Sequence, residues 1–281
     1  MNAFLEKVLL DKIVEVEAGK ARAPAEALLK DAPGPVRDFK AALRGGGASI
    51  IAEIKRRSPT VEAFPQGRRP PAELARLYEA NGAAAVSMVT DAPRFGISLA
   101  DVPAVREACS LPVLVKEFVI DPWQAAAARA AGADALLLIA RIADLPTLRA
   151  LYGYAREVGL HVLLECHDQA DLEKAAALGA EVVGVNSRDL DKLTVSVEGA
   201  RALLSSVPES AVRVAESGIR TRADVEAFAR AGADAFLVGG ALLSSPDPGA
   251  LLRELRGAEP GGGTAAGRDG APPPRRGGGG P

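Results

Sequence analysis

A recurring order of segments is the feature that most constrains the fold of this chain. Helix-forming stretches rich in alanine and leucine end near a glycine, and a short apolar run that suits a buried parallel strand follows. The order is found at Gly82, Gly132, Gly159, Gly179 and Gly232. Glycine just past a helix can adopt the left-handed conformation that ends it. Strands that alternate with helices in this way predict βαβ units with right-handed crossovers.

Eight strands are predicted along the chain. Eight parallel strands, each followed by a helix, favour a closed (β/α)8 barrel of the TIM type, an α/β fold. The length of 281 residues suits one barrel domain, since such domains take about 250 residues. The competing fold is an open doubly wound sheet, which normally shows a G-x-G-x-x-G turn after an early strand, and none is present. The predicted strand centres are Ile51, Ser87, Leu114, Leu137, Leu163, Val183, Val212 and Leu237.

The barrel is predicted to span residues 48–256, with a segment of different character on each side. Residues 1–47 are predicted to form a helical extension packed on the barrel. Residues 257–281 consist largely of glycine, proline and arginine with almost no apolar side chains, which predicts a disordered tail.

Two helices are predicted within the N-terminal extension. The first is amphipathic, because apolar side chains recur at helical spacing at Leu5, Leu9, Ile13 and Val16. The second is predicted over residues 36–43. Helices of this kind can cap the bottom of the barrel or reach over its top.

The composition excludes several classes of partner. A formal net charge of -2 leaves no basic footprint for nucleic acid or a membrane surface. No apolar run approaches the ~18–20 residues of a membrane span, and the N-terminus lacks the features of a signal peptide. Cys109 and Cys166 are the only cysteines and have neither disulfide nor zinc spacing. A reducing, cytoplasmic location is therefore expected.

Chemically active side chains stand at the carboxyl ends of the predicted strands. Side chains alternate along a strand, so Glu53 and Lys55 point to the same side of the sheet. In a barrel all these strand ends surround one mouth, where the active site lies. We therefore expect one cavity to be lined by Glu53, Lys55, Lys116, Glu165 and Glu216, and Asn186 and Arg188 to form a polar pair at the end of the sixth strand.

An ammonium and a carboxylate placed across a substrate can donate and abstract protons, and their mutual field tunes both pKa values. The alternative is a structural ion-pair network that closes the barrel top, and for Glu53 with Lys55 both interpretations stay open. Arg188 can grip a carboxylate with both arms of its guanidinium, and Asn186 can donate to a hydroxyl or carbonyl. Alternatively, these two residues anchor a loop together with Asp189.

Two glycine-containing turns follow the seventh and eighth strands. Ser217-Gly218 and Gly239-Gly240 occupy the position where barrels commonly bind phosphate through backbone N–H groups. The alternative is a pair of ordinary strand-to-helix turns. His167 lies close to Glu165 and Cys166, but adjacent potential ligands are not a metal spacing, so no metal site is predicted.

Four motifs together resemble the indole-3-glycerol phosphate synthase family, and the resemblance covers nearly the whole chain up to about Arg256. Other phosphate-binding barrels do not share these motifs as a set. In this sequence they read Ile51-Ala52-Glu53-Ile54-Lys55-Arg56-Arg57-Ser58-Pro59, Leu111-Pro112-Val113-Leu114-Val115-Lys116-Glu117-Phe118-Val119-Ile120-Asp121, Gly184-Val185-Asn186-Ser187-Arg188-Asp189-Leu190 and Ala215-Glu216-Ser217-Gly218-Ile219.

The resemblance implies an enzyme of tryptophan biosynthesis that closes an indole ring with loss of CO2 and water from a carboxyphenylamino-deoxyribulose phosphate. Lys116 matches the family's general acid, and Glu165 matches the residue assigned to general base or acid duty. Glu53, Lys55 and Asn186 match residues that position the reacting centre, while Glu216 and Ser217 match the same pocket. Arg188 is placed to meet the anthranilate carboxylate, with Ser58, Phe95 and Arg94 also expected at the substrate. The resemblance implies no cofactor and no metal, and a monomer is expected, with other tryptophan-pathway enzymes as candidate partners.

The sequence departs from the family pattern at three places. The first strand-to-helix loop reads Thr60-Val61-Glu62-Ala63-Phe64, Arg94 and Ile97 replace an aromatic and a glycine, and Gly240 replaces a serine. These changes leave the acid–base set intact but alter the walls of the aryl pocket. A diverged paralogue with a substituted aryl substrate therefore stays open. A non-catalytic barrel that binds a phosphorylated metabolite and a sugar-phosphate isomerase are weaker alternatives, because Lys116 and Glu165 are present and the Glu53–Lys55 motif does not suit an isomerase.

Overall fold

Eight parallel strands close into a barrel in the computed structural model, which describes residues 3–45, 47–188 and 196–257. Each strand pairs with the next one along the chain, and the last pairs with the first. All eight predicted strand centres lie within observed strands, and the open sheet is excluded. The strands are β1 (Ser49–Ile54), β2 (Ala85–Val89), β3 (Val113–Lys116), β4 (Ala135–Ile139), β5 (His161–Cys166), β6 (Val182–Asn186), β7 (Val212–Glu216) and β8 (Ala235–Val238).

Helices surround the barrel and connect its strands. All five glycines of the recurring sequence pattern have positive φ, from 62° to 98°, which confirms that they end the preceding helices in the left-handed conformation. The helices are α1 (Ala3–Arg22), α2 (Ala25–Lys30), α3 (Phe39–Ala42), α4 (Pro71–Ala80), α5 (Ala92–Phe95), α6 (Val102–Ala108), α7 (Pro122–Ala131), α8 (Leu145–Glu157), α9 (Gln169–Leu178), α10 (Val197–Leu204), α11 (Arg222–Arg230), α12 (Gly240–Ser244) and α13 (Pro248–Arg256).

The strand period of two divides the core into two parts. One apolar cluster lies inside the barrel and includes Ile51, Leu114, Leu163 and Val214. The residues between them, such as Ile50 and Val113, belong to a second cluster shared with the surrounding helices. Because the strands are buried on both faces, nearly every strand residue is apolar. Apart from Ser87 in the middle of β2, the polar residues stand at or next to the strand ends.

The N-terminal extension differs from the prediction in its details. The first helix is confirmed, but Ile13 is exposed and Lys12 takes its place in the buried stripe, between Val8 and Val16. The ammonium of Lys12 can be buried there because Glu15 and Glu117 lie within 3.0 Å of it. The spacing of apolar residues does not indicate that Lys12 is buried, because a lysine is normally taken to face solvent.

The second predicted helix is shorter than residues 36–43. The carboxylate of Asp38 accepts the backbone N–H of Ala41, so the helix begins only at Phe39. The upstream helix Ala25–Lys30 was not predicted, and none of its residues is buried, which explains why it carries no apolar stripe.

A buried carboxylate ties this extension to the bottom of the barrel. Asp134 precedes β4 and is fully buried. One of its oxygens accepts the backbone N–H of Arg37 at 2.8 Å and an N–H of Arg106 at 2.6 Å, and the other accepts the backbone N–H of Val113 at 2.9 Å. Both oxygens therefore have protein partners, so the charge stabilises the end of the barrel opposite the mouth.

Among the described residues, no helix is long and apolar enough to cross a membrane. Both cysteines are buried and unpaired, as predicted. The predicted tail lies outside the described residues beyond Gly257, where α13 ends in the left-handed conformation.

Candidate active site

Lys116 stands at the mouth of the barrel between two buried carboxylates. Its Nζ atom lies 2.5 Å from Oε2 of Glu216 and 3.3 Å from Oε2 of Glu165. Glu53 forms a close ion pair with Lys55 on the neighbouring part of the mouth. Each of the three glutamates is at most 4 % exposed. The structure thus brings together the five charged residues that strand order and side-chain period predict.

These side chains converge because each occupies an inward-facing position at the top of its strand. Lys116 lies two residues beyond Leu114, Glu165 two beyond Leu163, and Glu216 two beyond Val214, all of which line the barrel interior. The apolar layer below fills the barrel, so the charged layer above it is the floor of the mouth.

The field of the carboxylates keeps Lys116 charged. Burial disfavours an ammonium, but Glu216, Glu165 and Glu53 outweigh this effect and hold the pKa of Lys116 above its ordinary value. Burial likewise disfavours ionised Glu53, yet the charges of Lys55 and Lys116 keep its pKa below the ordinary value. The site therefore holds a cation that can polarise a substrate carbonyl.

The two carboxylates beside Lys116 titrate differently. Burial raises the pKa of Glu216 to about 8, and the charge of Glu165 adds to this effect while Lys116 opposes it. Burial also disfavours ionised Glu165, but Lys116 and His167 outweigh it and hold its pKa well below the ordinary value. Glu165 has two cationic neighbours and Glu216 has one, so Glu165 ionises more readily than Glu216.

Two of the oxygens in this cluster have no hydrogen-bond partner among the described residues. They are Oε2 of Glu165 and Oε1 of Glu216, and both are buried. Buried carboxylate oxygens are normally hydrogen-bonded, and exceptions often mark sites that receive a ligand. The mouth is therefore equipped to accept donor groups from a bound molecule.

Two glycines make room for these carboxylates. A Cβ atom at Gly184 in β6 would collide with the carboxylate of Glu216, and one at Gly239 would collide with Glu53. The sequence pattern indicates Gly184 only as a strand residue and does not predict its contact with Glu216. A glycine inside an apolar strand is itself a signal that another group approaches closely.

The loop after β1 folds back over Lys55. Ser58 and Val61 exchange two backbone hydrogen bonds, which closes a tight turn. Phe64 is buried farther along, and its ring centre lies 5.7 Å from Nζ of Lys55, a cation–π contact. Phe64 was not among the predicted site residues, although it is the aromatic member of the altered loop.

The two polar residues at the end of β6 are joined by a hydrogen bond. Oδ1 of Asn186 accepts the backbone N–H of Arg188 at 2.9 Å, and both residues are half-buried. This bond orients the Asn186 side chain at the end of its strand. The suggested pairing with Asp189 concerns a residue that lies outside the described ones.

The turn after β7 contains the only described non-glycine residue with positive φ. Ser217 has φ 66° and Gly218 follows with φ 76°. Such a conformation costs a non-glycine residue of order 1–3 kcal/mol, and it concentrates at ligand-binding turns. After β8, Gly239 leads into α12, which begins at Gly240. Both predicted phosphate turns therefore open at the mouth.

Arg94 lies beside the mouth with its guanidinium held by two carboxylates. It pairs with Asp91 at 2.9 Å and forms a close pair with Asp11 of α1. Phe95 is half-buried and packs against the inner core, whereas Ile97 is buried in the outer one. Arg94 thus links the loop after β2 to the N-terminal helix.

Among the residues that the structure describes, no three histidine, cysteine, aspartate or glutamate side chains are grouped so that they could hold a metal ion. His167 nevertheless contacts the site, because its Nε2 atom lies 3.2 Å from Oε1 of Glu165.

A closed parallel barrel with a buried lysine–glutamate cluster at its mouth and glycine turns after β7 and β8 defines an acid–base enzyme of the phosphate-binding TIM-barrel class. The family model for indole-3-glycerol phosphate synthase matches residues 5–255. The chain belongs to this family and is a lyase of tryptophan biosynthesis, as its motifs predict.

Two relatives illustrate the similarity. The indole-3-glycerol phosphate synthase of Nocardioides sp. is 46% identical over 262 residues, which cover 92% of this chain and 98% of that protein. The enzyme of the same name from Aromatoleum aromaticum is 43% identical over 268 residues, which cover 92% of this chain and 100% of that protein. The solved structure of thiamine phosphate pyrophosphorylase from Pyrococcus furiosus has a TM-score of 0.56 at 19% identity, covering 74% of this chain and 94% of that one. This last likeness concerns the fold alone.

Proposed function

We propose that this chain converts 1-(2-carboxyphenylamino)-1-deoxyribulose 5-phosphate into indole-3-glycerol phosphate, CO2 and water at the mouth described above. The observation that carries the proposal is the Lys116 ammonium, held between the buried carboxylates of Glu165 and Glu216 in a chain of this family. This arrangement supports the presence of an acid and a base within reach of one substrate carbon.

In the proposed first stage, Lys116 polarises the keto oxygen of the sugar and donates a proton as the aryl ring carbon attacks the carbonyl carbon. The carboxyl group on that ring carbon then leaves as CO2, and its bonding electrons restore the aromatic ring. In the second stage Lys116, reprotonated from solvent, protonates the new hydroxyl, which leaves as water, and Glu165 accepts the proton that the new five-membered ring loses. One proton is consumed overall, which balances the loss of the carboxylate as neutral CO2. Glu53, Lys55, Asn186, Glu216 and Ser217 position and stabilise the reacting centre.

The substrate's two anionic ends are proposed to bind on opposite sides of this cluster. Arg188 receives the anthranilate carboxylate, and Ser58, Phe95 and Arg94 border the aryl ring. The phosphate binds at Ser217, Gly218, Gly239 and Gly240. The Ser217-Gly218 turn supports this assignment, because a non-glycine residue with positive φ is strained and such strain concentrates at ligand-binding turns.

The wider organisation is also a proposal. Residues 1–47 serve as an extension on the barrel of residues 48–256, and residues 257–281 follow it as a C-terminal tail. We further propose that the chain acts as a cytoplasmic monomer, with a phosphorylated small molecule as its substrate. No nucleic acid or membrane takes part, and other enzymes of the tryptophan pathway are candidate partners.

A diverged paralogue with a substituted aryl substrate is the second candidate. Arg94, Ile97 and Gly240 favour it, because they alter the aryl pocket and one phosphate contact while the acid–base set stays unchanged. Arg94 already pairs with Asp91 and Asp11, which weakens this candidate.

The test incubates the purified chain with the unsubstituted substrate and with ring-substituted analogues, and follows indole fluorescence and released CO2. We expect each molecule of unsubstituted substrate that is converted to yield one indole product and one CO2. Turnover of a substituted analogue alone would establish the paralogue, and binding without turnover of any substrate would show a non-catalytic barrel.

A further inference from the structure

His167 is a buried imidazole that neither the proposed reaction nor a metal site uses. Its side chain is 3 % exposed, and it lies one residue beyond the end of β5. Its Nε2 atom is 3.2 Å from Oε1 of Glu165, and its Nδ1 atom is 3.7 Å from Oδ2 of Asp171. Neither ring N–H is aligned for a hydrogen bond, so both contacts are close ion pairs. The ring therefore lies between a catalytic-site carboxylate and a second buried carboxylate.

The position of His167 is fixed from both sides. Its backbone N–H donates to Oδ2 of Asp171 at 3.0 Å, which ties the end of β5 to the first turn of α9. Side-chain alternation places His167 on the same side of the chain as Glu165, one step nearer the opening of the mouth. A small shift of α9 would therefore move the imidazole relative to the carboxylate.

The two oxygens of Glu165 face different cations. Oε2 lies 3.3 Å from the ammonium of Lys116, and Oε1 lies next to the imidazole of His167. Because a carboxylate rotates about its last bond, a partner on one oxygen also fixes the direction of the other.

The surrounding charges favour a protonated ring. Burial works against a proton here, but Asp171 and Glu165 outweigh it and raise the pKa of His167 to about 9. Arg141 opposes the proton, since it pairs with Asp168 at 3.1 Å and with Asp171 at 3.8 Å. The other charged groups near the ring are Lys174, on the far oxygen of Asp171, and Lys116, beyond Glu165.

We propose that His167, backed by Asp171, is a positioning residue for Glu165: it keeps that carboxylate ionised and turns Oε2 toward Lys116 and the substrate. The role of Glu165 as a base rests on the proposed function, whereas the pairing itself does not. A purely structural histidine would only pack α9 against β5 and would not respond to the charge of Glu165.

The first test needs no catalysis. The chain has two histidines, so ring proton–carbon NMR gives two titration curves, and a His161→Asn variant assigns them. His161 serves as an internal control, because burial lowers its pKa below 6.5. The proposal expects His167 to titrate near 9 and its pKa to fall by about one unit or more in a Glu165→Gln variant. An ordinary pKa for His167, or one that Glu165→Gln leaves unchanged, would overturn the pairing.

The second test measures the pH dependence of kcat/KM in the wild type and in His167→Asn, with His161→Asn as the matched control. Removing the cation raises the pKa of Glu165, so the acidic limb moves upward by about 1–3 pH units in His167→Asn and stays in place in His161→Asn. We expect kcat to fall and KM to change little. An Asp171→Asn variant, which keeps an oxygen for the backbone N–H, should shift the limb in the same direction by a smaller amount.

An acidic limb that stays in place in both His167→Asn and Asp171→Asn would refute the positioning role. If the wild type turns over no substrate, the proposed function fails, while the NMR titration still decides the His167–Glu165 pairing.

Discussion

Two buried charge clusters lie at opposite ends of the barrel and differ in how completely the protein supplies hydrogen-bond partners for their carboxylates. At the bottom, both oxygens of Asp134 accept hydrogen bonds from Arg37, Arg106 and Val113. At the mouth, Glu165 and Glu216 each keep one buried oxygen without a hydrogen-bond partner among the described residues. Both clusters are equally hidden from solvent, so burial alone does not separate them.

The difference is in what completes each cluster. A buried charge that the protein fully satisfies stabilises the fold, and removing one partner is costly. A buried charge that the protein leaves partly unsatisfied lowers stability until a ligand arrives, and active sites commonly carry such a cost. The bottom cluster is complete within the protein, and we propose that substrate completes the mouth cluster.

The largest expected effect is on turnover at the mouth. Lys116→Ala should lower kcat by on the order of 10² or more, because a general acid contributes about that much. Circular dichroism should show an intact barrel. Lys40→Ala is the matched control, since it removes a lysine paired with Glu181 outside the mouth and should leave kcat unchanged.

Glu165→Gln should also lower kcat, and its effect should not add to that of Lys116→Ala, because both residues serve one reaction. Near wild-type turnover in Lys116→Ala would show that this lysine is not the general acid. The mouth cluster would then have no demonstrated catalytic role that separates it from the bottom cluster.

The next largest effect is on stability at the bottom. Asp134→Ala should lower the free energy of unfolding by about 3–5 kcal/mol, because it removes the carboxylate that pairs with the guanidinium of Arg106 and leaves two backbone N–H groups without their acceptor. Urea unfolding measures this loss, and kcat of the folded protein at low temperature should be unchanged.

Asp144→Ala is the control for the loss of a carboxylate that only caps a helix. Asp144 accepts the N–H of Thr147 at the exposed start of α8, and its loss should lower the free energy of unfolding much less than the loss of Asp134 does. Equal losses in Asp134→Ala and Asp144→Ala would show that the bottom cluster adds no stability of its own.

A smaller effect on catalysis is expected from Arg94, which borders the mouth. Like Asp134 in the bottom cluster, its charged group already has partners within the protein. Arg94→Phe should change KM for the unsubstituted substrate only modestly, because the guanidinium is already engaged by Asp91 and Asp11. The measurement is kcat/KM for plain and ring-substituted substrates in both proteins. A preference that moves toward the plain substrate would instead show a pocket retuned for an acidic or polar ring.

The smallest effect is expected from the C-terminal segment. Deleting the residues after Gly257 should leave Tm and kcat nearly unchanged, because the segment has almost no apolar side chains to bury. Thermal unfolding of the full and shortened chains measures this. A fall of several degrees in the shortened chain would show that the segment docks on the barrel.

The strands and the mouth were predictable because two simple periods determine them. Short apolar runs mark the strands, and alternation places Lys116, Glu165 and Glu216 on the same face as the apolar residues two positions earlier. The convergence of these residues then follows from barrel closure. The glycines that end the helices were predictable for a similar reason, since the left-handed conformation is local.

The remaining features depend on contacts between distant parts of the chain. Lys12 lies in a buried stripe only because Glu117 of a later loop meets it, and Asp134 acts only because Arg37 and Arg106 reach it. His167 acquires its partners from β5 and α9 together. No period in the sequence reports such pairs, although a charged residue at an apolar helical position is a usable signal.

The most direct test compares Glu165→Gln with Asp134→Asn, because each replaces a buried carboxylate by the amide of the same shape. We expect Glu165→Gln to lose most of its turnover, because an amide cannot accept a proton. We expect it to lower Tm less than Asp134→Asn does, because Oε2 of Glu165 has no hydrogen-bond partner among the described residues whereas both oxygens of Asp134 have one. Asp134→Asn should lower Tm and keep kcat at low temperature. A fall in Tm for Glu165→Gln as large as that for Asp134→Asn, with turnover retained, would contradict the difference between the two clusters.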